Sequence, residues 1–507
     1  MARASRWSIL AILSFALALI SLDNTIVNVA LPSLQEELGA SAAQLQWVVD
    51  AYSVLFAGTL LFAGSLGDRF GRKRILIIGL VIFGVGSLAA GASPNAETLI
   101  ACRALMGIGG AFIMPSTLSI LVQTFTVPKE RAQAIGIWAA VAGVGVAVGP
   151  IVGGALLERF SWHAVFLVNP PLVLIVLILA VRFIPESLDE SKPLLDLRGA
   201  GLVSLGLIAL VTFIVEVPDG GLTAVTLGIG IAAVLLLTAF VRWEKRAPRP
   251  LLPMTLFADR VFTVAVVMVG LVYFALMGAL FFLPQFLQLV QGLTPLQSGI
   301  GMLPGAGGLL LASLLSPGLA ERFGTRRTVV TGVLLVALGL ISMSLVEPMT
   351  NYPYVGLALG LTGIGMGLTL PQATNAVLSR VPKERSGMGA AVNDAVTELG
   401  GSFGVAILGG VLAYFYRSRI DEVIAAAGDS ASSVPAEVIE TVRESLASAV
   451  VLIQQLPTDV AEPARDVVGA AFVSGMGWAL SVGAVVTLLG ALLALRYFPR
   501  QMERVEE

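Results

Sequence analysis

Fourteen times along this chain, a run of about twenty apolar residues ends at a cluster of charge or a Gly/Pro turn. Segments this long and this oily belong in a bilayer, where hydrocarbon offers backbone N–H and C=O groups no partner and the helix satisfies them internally. The runs lie near 7–31, 45–66, 75–93, 97–122, 132–157, 163–184, 198–217, 222–242, 261–284, 297–319, 328–346, 353–379, 386–416 and 470–496. Only 13% of the residues are charged and 56% are hydrophobic, whereas a soluble domain carries about 25% charge. The first run follows Arg3 and Arg6, as a signal peptide would. Its apolar length of ~20 residues exceeds a signal core of about 7–15, so it is read as an uncleaved first span.

Charge placement tests the count. With the N-terminus inside, the outer segments hold five of the 31 basic residues: Arg159, Arg417, Arg419, Arg443 and Arg465. Arg103 lies within a helix, and all the others fall on inner segments. That asymmetry is the positive-inside pattern, which a miscounted span would scramble, and it puts both termini in the cytoplasm. One large outer segment, 418–468, is acidic and helix-prone. It reads as an amphipathic excursion on the membrane surface, with partner binding as the alternative.

Several function classes drop out. The near balance of 31 basic against 33 acidic residues gives no electrostatic footprint for nucleic acid. A lone cysteine, Cys102, allows no intramolecular disulfide and no cysteine metal cluster, and a lone histidine, His163, argues against a metal or triad site. No G-x-x-x-x-G-K-[ST] loop is present, so the chain carries no ATPase of its own. With no nucleophile–base pair at membrane depth, an enzyme is not expected.

The chain also repeats itself. LGDRFGRKRILIIGLVIFGVG (66–86) recurs as LAERFGTRRTVVTGVLLVALG (319–339), GIGGAFIMP (107–115) as GIGMGLTLP (363–371), and PKER at 128–131 as PKER at 382–385. Matches in the same order, at offsets of 253 to 256, mark a duplicated six-helix unit with two helices inserted between the copies. The predicted domains are an N-terminal half at 1–184, an inserted pair with its loops at 185–260, and a C-terminal half at 261–507 that includes 418–468. Two parallel halves around a midplane site form a transporter architecture.

Three motifs carry a family resemblance. GSLGDRFGRKR resembles the signature between spans 2 and 3 of the major facilitator superfamily. GVGVAVGPIVGG (143–154) is similar to the span-5 motif of its exporters, and LDNTIVNVALP (22–32) to the span-1 motif of its fourteen-span drug:proton antiporters. The resemblance covers the chain except 418–468. It implies an all-α integral membrane protein of the major-facilitator fold, monomeric and in the bacterial cytoplasmic membrane. Such a protein exports lipophilic, often cationic compounds against H⁺ by alternating access, driven by the proton gradient with no cofactor. A dedicated exporter of one metabolite is the alternative, and a non-transporting sensor or scaffold a further one.

The residues assign roles within that frame. Asp394 and Glu398, in MGAAVNDAVTELGGSFG, stand four apart on one helix face near mid-membrane. Such a pair resists full ionisation, and exchange of H⁺ for a cation needs a site that is protonated when empty and negative when occupied. They are the first candidates for proton or substrate binding; a structural, hydrogen-bonded role is the alternative. Asp23 and Asp50, in the outer third of spans 1 and 2, are the second candidates, since a charge at bilayer depth costs roughly 3 kcal/mol. Asp50 also reads as a helix-end residue reaching the interface.

Arg103, inside span 4, needs a carboxylate or several carbonyls, and the resemblance implies a coupling role. Its repeat-mate is Leu359. Asp68 can pair with Arg72 or face a neighbouring helix N-terminus, and the resemblance implies that the two form a latch between the halves, joined by Glu130 and Arg131; plain positive-inside anchoring explains Arg69, Lys73 and Arg74. Gly145, Gly149 and Gly153 line one helix face and let another backbone come close, while Pro150 adds a kink. Simple packing accounts for part of that motif; the resemblance adds a leak-proof seam. Met and Phe residues in spans 9 and 12 either line a greasy cavity or pack at helical spacing. No metal site is expected.

Overall fold

Continuous apolar runs leave the helix as the form that closes every backbone hydrogen bond, and the computed structural model is helical throughout its spans. It describes residues 5–38, 40, 42–188, 195–248, 250–427, 436–444, 446–453 and 458–501. Seven helices build the first half: α1 (Arg6–Leu38), α2 (Ala42–Phe70), α3 (Arg72–Ala90), α4 (Ala96–Thr124), α5 (Pro128–Leu157), α6 (His163–Leu167) and α7 (Asn169–Phe183). The expected inserted pair corresponds to α8 (Leu197–Gly220) and α9 (Ala224–Glu244). Then follow α10 (Arg260–Gln285), α11 (Pro295–Gly301), α12 (Leu303–Phe323), α13 (Thr325–Ser344), α14 (Tyr352–Ser379), α15 (Ser386–Ala427), α16 (Ala436–Glu444), α17 (Leu446–Ile453) and α18 (Thr458–Tyr497).

Among the described residues, thirteen helical segments are long and apolar enough to cross a membrane. The thirty-residue α5 carries the remaining expected run, 132–157, and packs on α1, α12 and α14. One apolar core gathers α1–α7 around Leu13, Leu80, Phe83, Met106 and Phe166. A second gathers α10, α13, α14, α15 and α18 around Phe282, Leu340, Leu408 and Met476. The helix α8 packs against α2 and α15 through separate apolar clusters that include Val203, Leu207 and Val211.

Two expected spans are broken. The sixth divides at Val168 into α6 and α7, where Pro170 and Pro171 follow Asn169 and remove backbone donors. The tenth divides at Met302 ahead of Pro304. The 418–468 segment also departs from expectation. Instead of a separate excursion on the membrane surface, its described parts prolong α15 to 42 residues and α18 to 40, with α16 and α17 between them. At 1.5 Å per residue these helices reach ~60 Å, twice the ~30 Å hydrocarbon thickness. The apolar side chains Ile420, Leu446, Val450 and Ile453 find protein partners, packing with Phe286 and Leu287. Tyr416 Oη donates to the Val442 carbonyl at 2.8 Å and Arg443 Nε to Asp421 Oδ1 at 2.7 Å, tying α16 to α15.

Candidate functional site

Asp23 of α1 is fully buried, and both its oxygens are occupied. Arg103 of α4 donates from Nη1 to Oδ2 at 2.6 Å and from Nε to the Val48 carbonyl of α2 at 2.9 Å. The guanidinium lies 4.6 Å from the ring centroid of Tyr52. Asn169, freed by the break between α6 and α7, donates from Nδ2 to Asp23 Oδ1 at 2.7 Å and to Ser87 Oγ at 3.0 Å. Ser87 in turn donates to the Phe166 carbonyl at 2.8 Å. A charge taken out of water is tolerable only when paired and hydrogen-bonded, and this cluster supplies both. Tyr52 can sit there because α4 offers glycines: a β-carbon at Gly110 would stand 2.5 Å from Tyr52 Oη. Asp50, two residues along α2 from Val48, is half-buried, while the Arg103 guanidinium is committed to Asp23 and Val48.

The end of the bundle that carries the basic loops is closed. Asp68, 3% exposed at the end of α2, accepts from the backbone N–H of Gly387 at 2.9 Å and of Met388 at 3.0 Å. These donors belong to the first turn of α15, where helical N–H groups lack internal partners and the helix dipole favours an anion. Arg72 donates to Asp68 Oδ1 at 2.7 Å and to the Glu384 carbonyl at 2.7 Å. The backbones meet at Gly64, where a β-carbon would come 2.6 Å from Ala391 Cβ. Arg131 also crosses between the halves, from Nε to Asn375 Oδ1 at 2.8 Å.

Glu130 does not join this group; it pairs with Arg6 of its own half. Adjacent residues on the first turn of α5 point about 100° apart, so Glu130 and Arg131 meet different neighbours. The repeat-mate of Asp68 is Glu321, which pairs with Lys129 at 2.5 Å. Each copy of the loop motif thus docks on the PKER turn of the other half, once buried and once exposed.

The α5 glycines face α1. A β-carbon at Gly145 would lie 2.8 Å from Ser21 Cβ, one at Gly153 2.9 Å from Ile26 Cγ1, and one at Gly149 would overlap Thr25 Oγ1. The side chain of Pro150 lies outside the described residues.

In α15, Asp394 is fully buried. Its Oδ1 accepts from Asn393 Nδ2 at 3.2 Å, and its Oδ2 has no hydrogen-bond partner among the described residues. Glu398, one turn further out, is half-buried. Tyr273 of α10 lies within electrostatic reach of both carboxyl groups, and Tyr52 of the first half within reach of Glu398. From Tyr273, the positions Leu276, Leu280 and Leu283 run along one face of α10 and line an apolar cavity of about 100 Å³. Met302, Leu309, Met366 and Leu359, the repeat-mate of Arg103, complete its walls. Tyr273, within reach of both carboxyl groups, thus stands one helical turn from the first residue lining this apolar space.

A family model described as Major Facilitator Superfamily matches residues 13–405. The chain belongs to the major facilitator superfamily. Among similar proteins, the multidrug efflux pump LfrA of Mycolicibacterium smegmatis is 36% identical over 489 residues, covering 96% of this chain and 95% of that protein. The tetracenomycin C resistance and export protein of Streptomyces glaucescens is 33% identical, covering 99% and 93%. The methyl viologen resistance protein SmvA of Salmonella typhimurium is 33% identical, covering 96% and 97%. Among solved structures, the human organic anion transporter MFSD10 (TETRAN) shares the fold at TM-score 0.62 and 14% identity, covering 97% of this chain and all of that one.

Within this major facilitator fold, four polar residues of the site escaped sequence reasoning: Tyr52, Ser87, Asn169 and Tyr273. Only Asn169 carries a local signal, an amide in an Asn-Pro-Pro break inside an apolar run. The other three become partners only when separate helices meet.

Proposed function

We propose that this protein exports lipophilic, often cationic compounds in exchange for protons, by alternating access in a bacterial cytoplasmic membrane. The observation that carries the reading is Asp394: a fully buried carboxyl group with one oxygen unpartnered among the described residues, one turn from Glu398 and within reach of Tyr273, whose helix lines the apolar cavity. A cation's lipophilic body fits the cavity while its charge faces the carboxylates, and the same carboxylates take up the proton when the cation leaves. Asp23 and Arg103 couple movement in the first half, and Asp50 is a second-rank proton site. Asp68, Arg72 and Arg131 hold the basic-loop end shut, and Glu130 steadies that end through Arg6. The α5 glycines keep the seam with α1 tight against leak. The basic residues gathered on one set of loops support cytoplasmic termini, with the closed end facing the cytoplasm. The proton gradient supplies the energy without a cofactor, and one chain suffices.

The test uses inverted vesicles energised to an acid interior and loaded with a pH-sensitive dye, challenged with a panel of lipophilic cations. Substrate-induced proton release with wild type but not with Asp394→Asn is expected. Release that survives the substitution moves the proton site to Glu398, Asp23 or Asp50. Its absence with every cation, despite folded protein, removes antiport. The similarity to a tetracenomycin C export protein keeps a second reading open, a dedicated metabolite exporter, which predicts no competition between unrelated substrates.

A further inference from the structure

Outside the candidate site, two more carboxyl groups meet at the basic-loop end of α8 and α9. Asp196 caps α8: its Oδ1 accepts from the Gly199 N–H at 2.9 Å, and its Oδ2 accepts from Trp243 Nε1 of α9 at 2.6 Å. Glu244, the last residue of α9, is 3% exposed. Its Oε2 accepts from the Leu252 N–H at 2.9 Å, which fastens the linker that follows α9. Its Oε1 has no hydrogen-bond partner among the described residues. A β-carbon at Gly199 would overlap Glu244 Oε1 and lie 2.7 Å from Asp196 Oδ2, so these two oxygens converge over the α8 backbone. The carboxyl groups are within hydrogen-bonding reach of each other. Two ionised carboxylates are acceptors only and make no hydrogen bond, and two buried carboxylates sharing a site do not both stay charged. One proton between them supplies the missing donor and removes the repulsion.

We propose that Asp196 and Glu244 form a proton-binding site separate from the transport carboxylates, whose single shared proton clamps α8, α9 and the linker that follows them. The charged groups around the pair are engaged elsewhere or turned outward. Arg198 lies over the Trp243 ring at 5.3 Å, Asp259 pairs with Arg380 at 3.7 Å, and Arg242, Lys245, Arg246 and Arg260 are exposed. From α2, α10 and α15 the neighbours are apolar: Leu251 and Leu252 of the linker share a buried cluster with Leu61, Phe262 and Met388. The Met388 N–H is also one of the two that hold Asp68. The linker anchored by Glu244 is thus packed behind the closed end of the bundle. Loss of the proton leaves two negative charges converging on one point, drives Glu244 from its place and frees the linker. The clamp is complete at low pH and weakens as pH rises through its titration, with the slope of one proton. It goes beyond the export reading and needs no substrate.

The test is hydrogen exchange by mass spectrometry on the full-length protein in nanodiscs. It follows the peptide that carries the Leu252 N–H between about pH 6 and 9, with rates corrected for intrinsic exchange. Wild-type protection is expected to fall by up to about tenfold per pH unit once the proton leaves. Glu244→Gln places a permanent N–H between the two groups while its amide oxygen still accepts from Leu252, so its protection is expected to stay level across the range. Glu244→Ala removes the anchor and is expected to be weakly protected at every pH. Where Glu244→Gln fails to fold, Asp196→Asn carries the same test: its amide donates to Glu244, and the slope is again expected to vanish.

Wild-type protection that stays level with pH overturns the shared proton. A slope that survives in Glu244→Gln also overturns it, since the titrating group then lies elsewhere. Protection restored at high pH by added Mg²⁺ or Ca²⁺ makes the pair a metal site and overturns the proton assignment as well. Vesicles in which lipophilic cations release no protons refute export and leave this slope untouched.

Discussion

Cutting the Asp23–Arg103 pair tests how much of the first half depends on it. In Asp23→Leu, the guanidinium of Arg103, 1% exposed, keeps the Val48 carbonyl and the Tyr52 face but has no counter-charge. A guanidinium cannot shed its proton, so the full penalty of an unpaired buried charge applies, about 3–5 kcal/mol. Arg103→Met leaves a carboxylate that still accepts from Asn169 and can neutralise itself by binding a proton, so its cost is smaller. The double variant Asp23→Leu/Arg103→Met removes both charges and should recover about 2–3 kcal/mol relative to the sum of the singles. Unfolding of the four proteins in one detergent or nanodisc gives this coupling, and vesicle proton release on the same samples gives function. A stable double variant that moves no protons shows coupling beyond structure. If both singles cost below about 1 kcal/mol and add without coupling, the reasoning from a buried pair is refuted.

The other sites give sharper local expectations. Asp68→Asn weakens the anchor on the first turn of α15 and unpairs Arg72, so the basic-loop end should open. Thiol labelling of a cysteine placed at Ser119, which contacts Ser386 across the halves at 2.9 Å, should then rise; unchanged labelling removes the latch. Gly149→Ala drives a methyl group into Thr25 Oγ1 and should cost about 1–3 kcal/mol, partly recovered by Thr25→Ala; a melting temperature equal to wild type contradicts the close α1–α5 approach. Glu398→Gln is expected to slow efflux of a lipophilic cation more than that of a neutral substrate, measured side by side in the same vesicles. Equal slowing of both would place Glu398 in packing rather than charge recognition.

The sequence by itself exposes the helical spans and the internal repeat from which two halves and an inserted pair are expected, because burial in hydrocarbon acts on each segment separately and a repeat can be read off one strand of text. It also singled out Asp23, Arg103, Asp394 and Glu398, since an ionisable group in an apolar run is costly enough to need a reason. Tertiary structure alone decided the partners. Asp23 meets Arg103, Val48 helps hold that arginine, and Asn169 closes the cluster, because four helices converge there at sequence separations of 55 to 146 residues. Glu130 turned to Arg6 for the angular reason that neighbours on a helix face apart. The outer segment joined the helix bundle because its apolar face found Phe286 and Leu287, a choice no local pattern encodes. The cavity, too, exists only as the space left when α5, α10, α12 and α14 pack at their glycines. A sequence states which residues are expensive to bury; the fold decides where each finds the contact that makes burial tolerable.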